Sequence, residues 1–235
     1  MKPSEVFPDG WLDVFLPDKP IAFGQDIGTT EGKKSNPSCF AIAQEVGLDI
    51  FLRLIIRYKS QDPAVTIQII EHALKGLKGI PNRGLAIDAT SEKFFAADVE
   101  RHFMGRLVVA KVVASENYEY KGTKMLYKVY CGNLLVNRYT DALIGMPKCD
   151  WLEKDFRSVQ RSAGSFTAEV GEDGGHADCF DGAKLSVFQL VTGNEGTAEA
   201  QAVSTGFTEK TGSKRSFWKP DHEEDFQIKE GRSAL

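Results

Sequence analysis

Three aspartates stand where local packing gives no reason for them. Asp26 falls at the end of the apolar run Ile21-Ala-Phe-Gly-Gln-Asp-Ile27. Asp88 closes a second such run, Gly84-Leu-Ala-Ile-Asp-Ala89, and Asp178 opens an apolar-rich segment from His176 to Leu190. Aspartate is depleted in strands, so an acid ending each of two strands needs another cause. If the two strands are neighbours, their ends place both carboxylates on one edge of the sheet, and the helix start delivers the third. Three converging carboxylates do not all stay ionised without cations between them. Hard oxygen ligands select Mg2+ or Mn2+. Two such ions roughly 3.5–4 Å apart activate a water and stabilise the leaving oxygen in phosphodiester cleavage. The expected centre is therefore two Mg2+ or Mn2+ ions on Asp26, Asp88 and Asp178, which serve as both metal ligands and catalytic residues.

Two neighbours widen the third position. Asp181 is three residues beyond Asp178 and shares its helix face, which makes it a further candidate ligand. His176 is another, and it suits a proton shuttle as well. A solvated loop histidine is the plainer reading of His176. Each acid has a plainer reading too. Asp26 suits a turn acceptor before Gly28, Asp88 a cap for a helix near Ser91, and Asp178 an acid favoured by the helix dipole. Taken jointly, in this order, the three favour the metal site. Basic residues supply a candidate DNA path: Lys33 and Lys34 after the first acid, then Lys121, Lys124 and Lys128, interleaved with Tyr118, Tyr120 and Tyr127. Phosphate contact and an ordinary solvated face are equal readings of these lysines.

The elements that must position the acids read off in order. Residues 1–19 carry three prolines and form a lead-in that docks on the core or on a further domain. The Ile21–Ile27 strand is followed by a polar stretch, then strands over 38–44 and 48–58 with Gly47 in the turn between them. Asp62 is a helix N-cap and Pro63 fits the first helical position. Ile67, Ile70, Leu74 and Leu77 give that helix one apolar stripe. The Asp88 strand follows, then a helix over 91–104 and a buried strand over 107–113. A long helix is expected over 123–144, interrupted in propensity at Gly132. A short helix over 151–160, a last strand over 165–170 and a closing helix over 176–190 complete the series. From about Thr192 the composition turns small, polar and charged, which reads as a flexible tail. The organisation expected is thus a lead-in at 1–19, one α/β domain at 20–191 and a tail at 192–235. Three antiparallel strands leading into a parallel part with crossover helices make a mixed sheet flanked by helices.

Composition bounds the function. The 235 residues carry a formal net charge of −4, and 42% of them are apolar. At ~150 residues per domain this suits one domain and a tail. The acidic balance argues against strong autonomous DNA binding, yet clustered cation-holding carboxylates also lower net charge. The four cysteines, at 39, 131, 149 and 179, form no C-x-x-C pair, which disfavours a zinc ribbon. They read as reduced thiols of a cytoplasmic protein. No apolar stretch approaches the ~20 residues that span a membrane, and no signal peptide opens the chain.

The stretches Gly24-Gln-Asp-Ile-Gly28, Leu85-Ala-Ile-Asp-Ala89 and Gly175-His-Ala-Asp-Cys-Phe-Asp-Gly-Ala-Lys184 resemble the three acidic motifs of phage terminase large-subunit nuclease domains. The resemblance covers roughly residues 20–190, and the order and spacing of the motifs carry it. It implies a ribonuclease H-like mixed sheet with the first three strands antiparallel, and an endodeoxyribonuclease that cuts concatemeric double-stranded phage DNA during packaging with two metal ions. By position Asp26, Asp88 and Asp178 would be ligands and Asp181 a fourth. The sequence departs from the pattern at Gly182, between Asp181 and Ala183. The G-x-x-x-x-G-K-[ST] loop of the ATPase part is absent, so the chain is expected to be an excised nuclease domain or a split version. The resemblance further implies an ATPase motor domain or subunit, a small terminase and a portal protein as partners, and the host-cell cytoplasm as location.

Other readings stay open. Asp26-Ile-Gly-Thr-Thr30 resembles the phosphate turn of actin-like sugar kinases, although a second glycine-rich turn is missing. A junction resolvase of the same fold would share the acids. A non-catalytic docking module of a packaging motor would suit the acidic balance and the Phe217-Trp218 pair, but has no need of the acids.

Overall fold

The computed structural model describes residues 2–28, 36–120, 122–162, 165–168 and 176–204, with 194–204 described by backbone alone. The lead-in forms two short 3-10 turns. It then lays Phe7, Trp11 and Phe15 against the core beside His72, with Phe7 4.7 Å from the Trp11 ring and 4.6 Å from the His72 ring.

Strand β1 (Ile21–Asp26) is wholly buried. It pairs antiparallel with β2 (Ser38–Val46), which turns through Gly47 (φ +69°) into antiparallel β3 (Asp49–Tyr58). Helix α1 (Pro63–Gly76) begins at Asp62, whose carboxylate accepts from the Ala64 N–H at 2.8 Å, with Pro63 at the first position. Its buried stripe is Thr66, Ile69, Ile70, Ala73 and, just beyond the end, Leu77. Ile67 and Leu74 sit only at the margin of that stripe, which is rotated from the one the spacing suggested. Strand β4 (Asn82–Asp88) runs parallel to β1. Helix α2 (Lys93–Phe103) returns the chain to β5 (Val109–Val112), parallel to β4. The expected burial of this last strand fails: only Val112 is buried, because β5 is an edge.

The long helix expected over 123–144 is shorter. Strands β6 (Asn117–Tyr120) and β7 (Thr123–Leu126) form a hairpin, and α3 (Tyr127–Thr140) starts after it. Tyr118 and Tyr120 stack on Tyr130 at 4.5 and 5.6 Å, so aromatic packing decides this stretch against helix. A two-residue β8 (Ile144–Gly145) adds to β3, and α4 (Asp150–Arg157) follows. The expected last strand is not in the main sheet. Strand β10 (Ser165–Ala168) pairs with β9 (Val159–Ser162) in a separate two-stranded ribbon. Helix α5 (Asp178–Ser204) continues well past the expected end at 190.

The main sheet has the order β5-β4-β1-β2-β3-β8. The first three strands are antiparallel and the flanking ones parallel, as the element order predicts. Strand alternation splits its faces by size. Ile21, Phe23, Phe40, Ile42, Leu85 and Ile87 point at α1, α2 and the lead-in. Ala22, Cys39, Ala41, Ala43 and Ala86 point the other way, toward α5. The four cysteines are free. Among the described residues no helix is long and apolar enough to cross a membrane.

Candidate active site

Small side chains bring α5 down onto the sheet. A Cβ on Gly24 would stand 2.2 Å from the Gly182 carbonyl oxygen and 2.3 Å from the Ser186 nitrogen, so only glycine admits this helix–strand approach. A Cβ on Gly182 would in turn meet Cys39 Sγ at 2.8 Å. Farther along, Gln189 donates to the Arg83 carbonyl at 2.6 Å, and Arg83 bonds the Leu190 carbonyl and Glu45. The helix is thereby fixed in register with β1 and β4. Its start is held from α4: Asp155 accepts from the Phe180 and Cys179 N–H groups at 3.0 and 3.3 Å, which satisfies donors that a helix N-terminus leaves open. Ala177, just before the helix, takes a left-handed φ of +62°. That conformation is uncommon for a residue with a Cβ and is held here by its surroundings.

The acids gather at this junction. The register Gln25↔Ile87 puts Asp26 and Asp88 at the next rung of the parallel pair, both on the α5 face. Asp88 Oδ1 accepts from the Thr90 N–H at 2.8 Å and from its hydroxyl at 2.5 Å. Thr90 Oγ1 accepts from the Ala114 N–H at 2.8 Å. This chain ties the end of β4 to the loop after β5, and it is a turn rather than the cap of α2 considered from the sequence.

Burial pushes the Asp26 carboxyl well above the ordinary carboxylate range, and the negative charges of Asp181, Asp88 and Asp178, in that order, push it further. Lys184 works against them. Asp26 is only 9% exposed, so its charge is felt strongly by its neighbours. Lys184 Nζ donates to Asp181 Oδ1 at 2.5 Å. Burial disfavours the Lys184 ammonium, but Asp181 and Asp26 outweigh it and hold the group in its charged form.

Asp178 and Asp181 differ in surroundings. Asp181 lines a cleft of about 140 Å³ with Asp88, Lys128, His176 and Lys184. Asp178 is 2% exposed, is not among the lining residues and accepts from the His176 N–H at 3.2 Å. Burial raises its carboxyl to about 7, with Asp155 and Asp181 adding to the rise and the His176 N–H opposing it. His176 itself is exposed at the cleft mouth. A larger cavity of about 550 Å³ lies beside it, between α3, α4 and the β9–β10 ribbon. Its walls are mainly apolar, with Leu135, Met146 and Phe156 among them, and none of the four aspartates reaches it. The smaller cleft carries the chemistry.

Among the described residues no three His, Cys, Asp or Glu side chains stand close enough to share one metal ion. The donor type nevertheless suits a hard divalent cation: carboxylates alone, in a site whose charges oppose one another. Of the expected basic path, Lys128 lines the cleft. Lys124 is exposed and pairs with Glu119 at 3.4 Å. Lys33, Lys34 and Lys121 lie outside the described residues. The sequence reading missed Asp155, Thr90 and Lys184. Nothing in the sequence marks Asp155. Lys184, three residues after Asp181, was legible as an opposite-charge helix pair.

No family model and no curated protein matches this sequence. Solved structures do match its fold. A full-length large terminase from a thermophilic bacteriophage aligns over 76% of this chain with a TM-score of 0.51 and 14% identity. The large terminase nuclease of thermophilic phage G20c aligns over 74% of this chain and 84% of its own, with a TM-score of 0.52 and 13% identity. The Thermus phage P74-26 large terminase nuclease domain aligns over 73% and 80%, with a TM-score of 0.52 and 13% identity. The G20c nuclease has also been solved with bound magnesium and with bound cobalt. The chain spans 41% of the length of the first of these, the large terminase. Its fold is that of the large terminase nuclease domains.

Proposed function

We propose that this chain is a divalent-metal-dependent nuclease, an endodeoxyribonuclease that cuts double-stranded phage DNA during genome packaging. One observation carries the reading most: Asp26, at the end of β1, feels the charges of Asp181 and Asp88 most strongly, and both of those acids line the same cleft. Asp26, Asp88 and Asp181 would hold the cation. Asp178 would instead secure the turn into α5 through the His176 N–H. Mg2+ or Mn2+ in this cleft would supply a nucleophilic water at neutral pH and a Lewis acid for the phosphoryl oxygen. Thr90 orients Asp88 toward that role, since both of its bonds go to Oδ1 alone. His176, at the mouth, is placed to pass protons to solvent. Lys128 is placed to meet a phosphate of the incoming strand. The magnesium- and cobalt-bound G20c structures, at low identity but equal fold, support a metal-dependent role.

The packaging context is part of the same reading: an ATPase motor domain or subunit, a small terminase and a portal protein as partners, in the host cytoplasm. Its test is cleavage of plasmid DNA by the purified chain in EDTA, Mg2+ or Mn2+, beside Asp88→Ala. Cutting that needs the metal and disappears in the variant supports it. Equal cutting by the variant would overturn it.

A further inference from the structure

Lys184 is an unusual neighbour for a cation site. Its side chain is 13% exposed, and long charged side chains are rarely so buried without a partner. It could have reached water along the helix. Instead its ammonium lies on Asp181 Oδ1 at 2.5 Å, 5.8 Å from the Phe180 ring centre, and it lowers the cost of charging Asp26. It also lines the cleft beside Asp88 and Lys128. A purely structural ion pair has no reason to face that opening. The charges give the second argument. Asp26, Asp88 and Asp181 carry three negative charges when ionised, and two divalent ions would overshoot them once the ammonium is counted. One divalent ion plus Lys184 balances them. The same arithmetic explains why no three acids close on a single point among the described residues: one carboxylate of the set is already engaged by the lysine.

We propose that Lys184 is a built-in cation of this centre, taking the place of a second divalent ion, so that the cleft binds one metal ion rather than the two expected from the sequence. This rests on the metal-dependent reading above. The ammonium stays bound to Asp181 through the reaction and faces the non-bridging phosphate oxygens of the substrate, as a fixed charge that needs no loading.

The test counts Mn2+ bound to the full chain by isothermal titration calorimetry, with free Mn2+ checked by electron paramagnetic resonance. Wild type should bind one ion. Lys184→Met, similar in length and neutral, should bind two. Lys184→Arg, which keeps the charge, should bind one. In EDTA the melting temperature of Lys184→Met should fall by about 6 °C or more, since an unpaired buried charge remains. Adding Asp181→Asn to it should recover most of that loss. Two ions on wild type would overturn this inference and leave the metal-dependent reading standing. No ion on either protein would overturn both.

Discussion

The two faces of the central sheet are built on opposite rules. Toward α1 and α2 the strands present Ile21, Phe23, Phe40, Ile42 and Leu85, and the helices are held off by large side chains. Toward α5 they present Ala22, Gly24, Ala41 and Ala86, and the helix backbone comes down onto the strand. The first face stores stability as buried apolar area. The second gives up much of that area for proximity, and the proximity brings Asp181 and Lys184 to Asp26 and Asp88. The charged groups that oppose one another all sit on the tight face. Core strength and chemistry are thus divided between the two sides of the same strands.

Substitutions separate these roles. The largest effect is expected at the acids. Asp26→Asn or Asp88→Asn should reduce metal-dependent cleavage to background, while thermal unfolding in EDTA shows equal or higher stability, because opposed charges are relieved. Unfolding of either variant would make those acids structural. Next comes Phe23→Ala on the bulky face. It should cost about 3–5 kcal/mol in a denaturant titration and leave the cleavage rate of the surviving folded protein near wild type. Gly24→Ala on the tight face should cost less stability, about 1–3 kcal/mol, yet lower cleavage strongly by pushing α5 away. If Phe23→Ala and Gly24→Ala damaged activity alike, the division between faces would fail.

The acids also predict a pH trend. Burial raises the folded-state value of Asp178 to about 7, against an ordinary 3.8, and Asp26 moves in the same direction. A raised folded-state value means the stabilising contribution is complete at pH below about 4 and is lost as pH rises toward 7. In EDTA the melting temperature should therefore drop by roughly 5 °C or more between about pH 5 and pH 8, and Asp178→Asn should flatten that drop. A rising melting temperature over the same interval would contradict it. The smallest effect is expected at Lys124. Its pair with Glu119 is exposed on both sides, so Lys124→Ala should change stability by less than about 1 kcal/mol.

Much of the bulky face was legible in the sequence, because strand alternation and the capped helix at Asp62-Pro63 are local signals. The strand order followed from element order and the handedness of crossovers. The tight face was legible only in part. Asp26 and Asp88 stood out as acids ending apolar strands, and 178–181 as a paired acidic start to a helix. Which of that pair faces the cleft depends on the left-handed turn at Ala177 and on the Asp155 cap from a different helix, and neither is a local property. The hairpin at 117–126 was hidden by residues that also suit a helix; ring stacking among Tyr118, Tyr120 and Tyr130 decides it. The ribbon at 159–168 read as one strand of the main sheet because its partner strand lay inside a segment expected to be helical.

The most direct measurement compares Asp181→Ala with Asp178→Ala in plasmid cleavage under Mn2+, with EDTA as the blank. The proposed centre requires wild type to cut only with metal, Asp181→Ala to be inactive, and Asp178→Ala to retain cutting with a lower melting temperature. Full activity of Asp181→Ala, or cutting by wild type in EDTA, would contradict it.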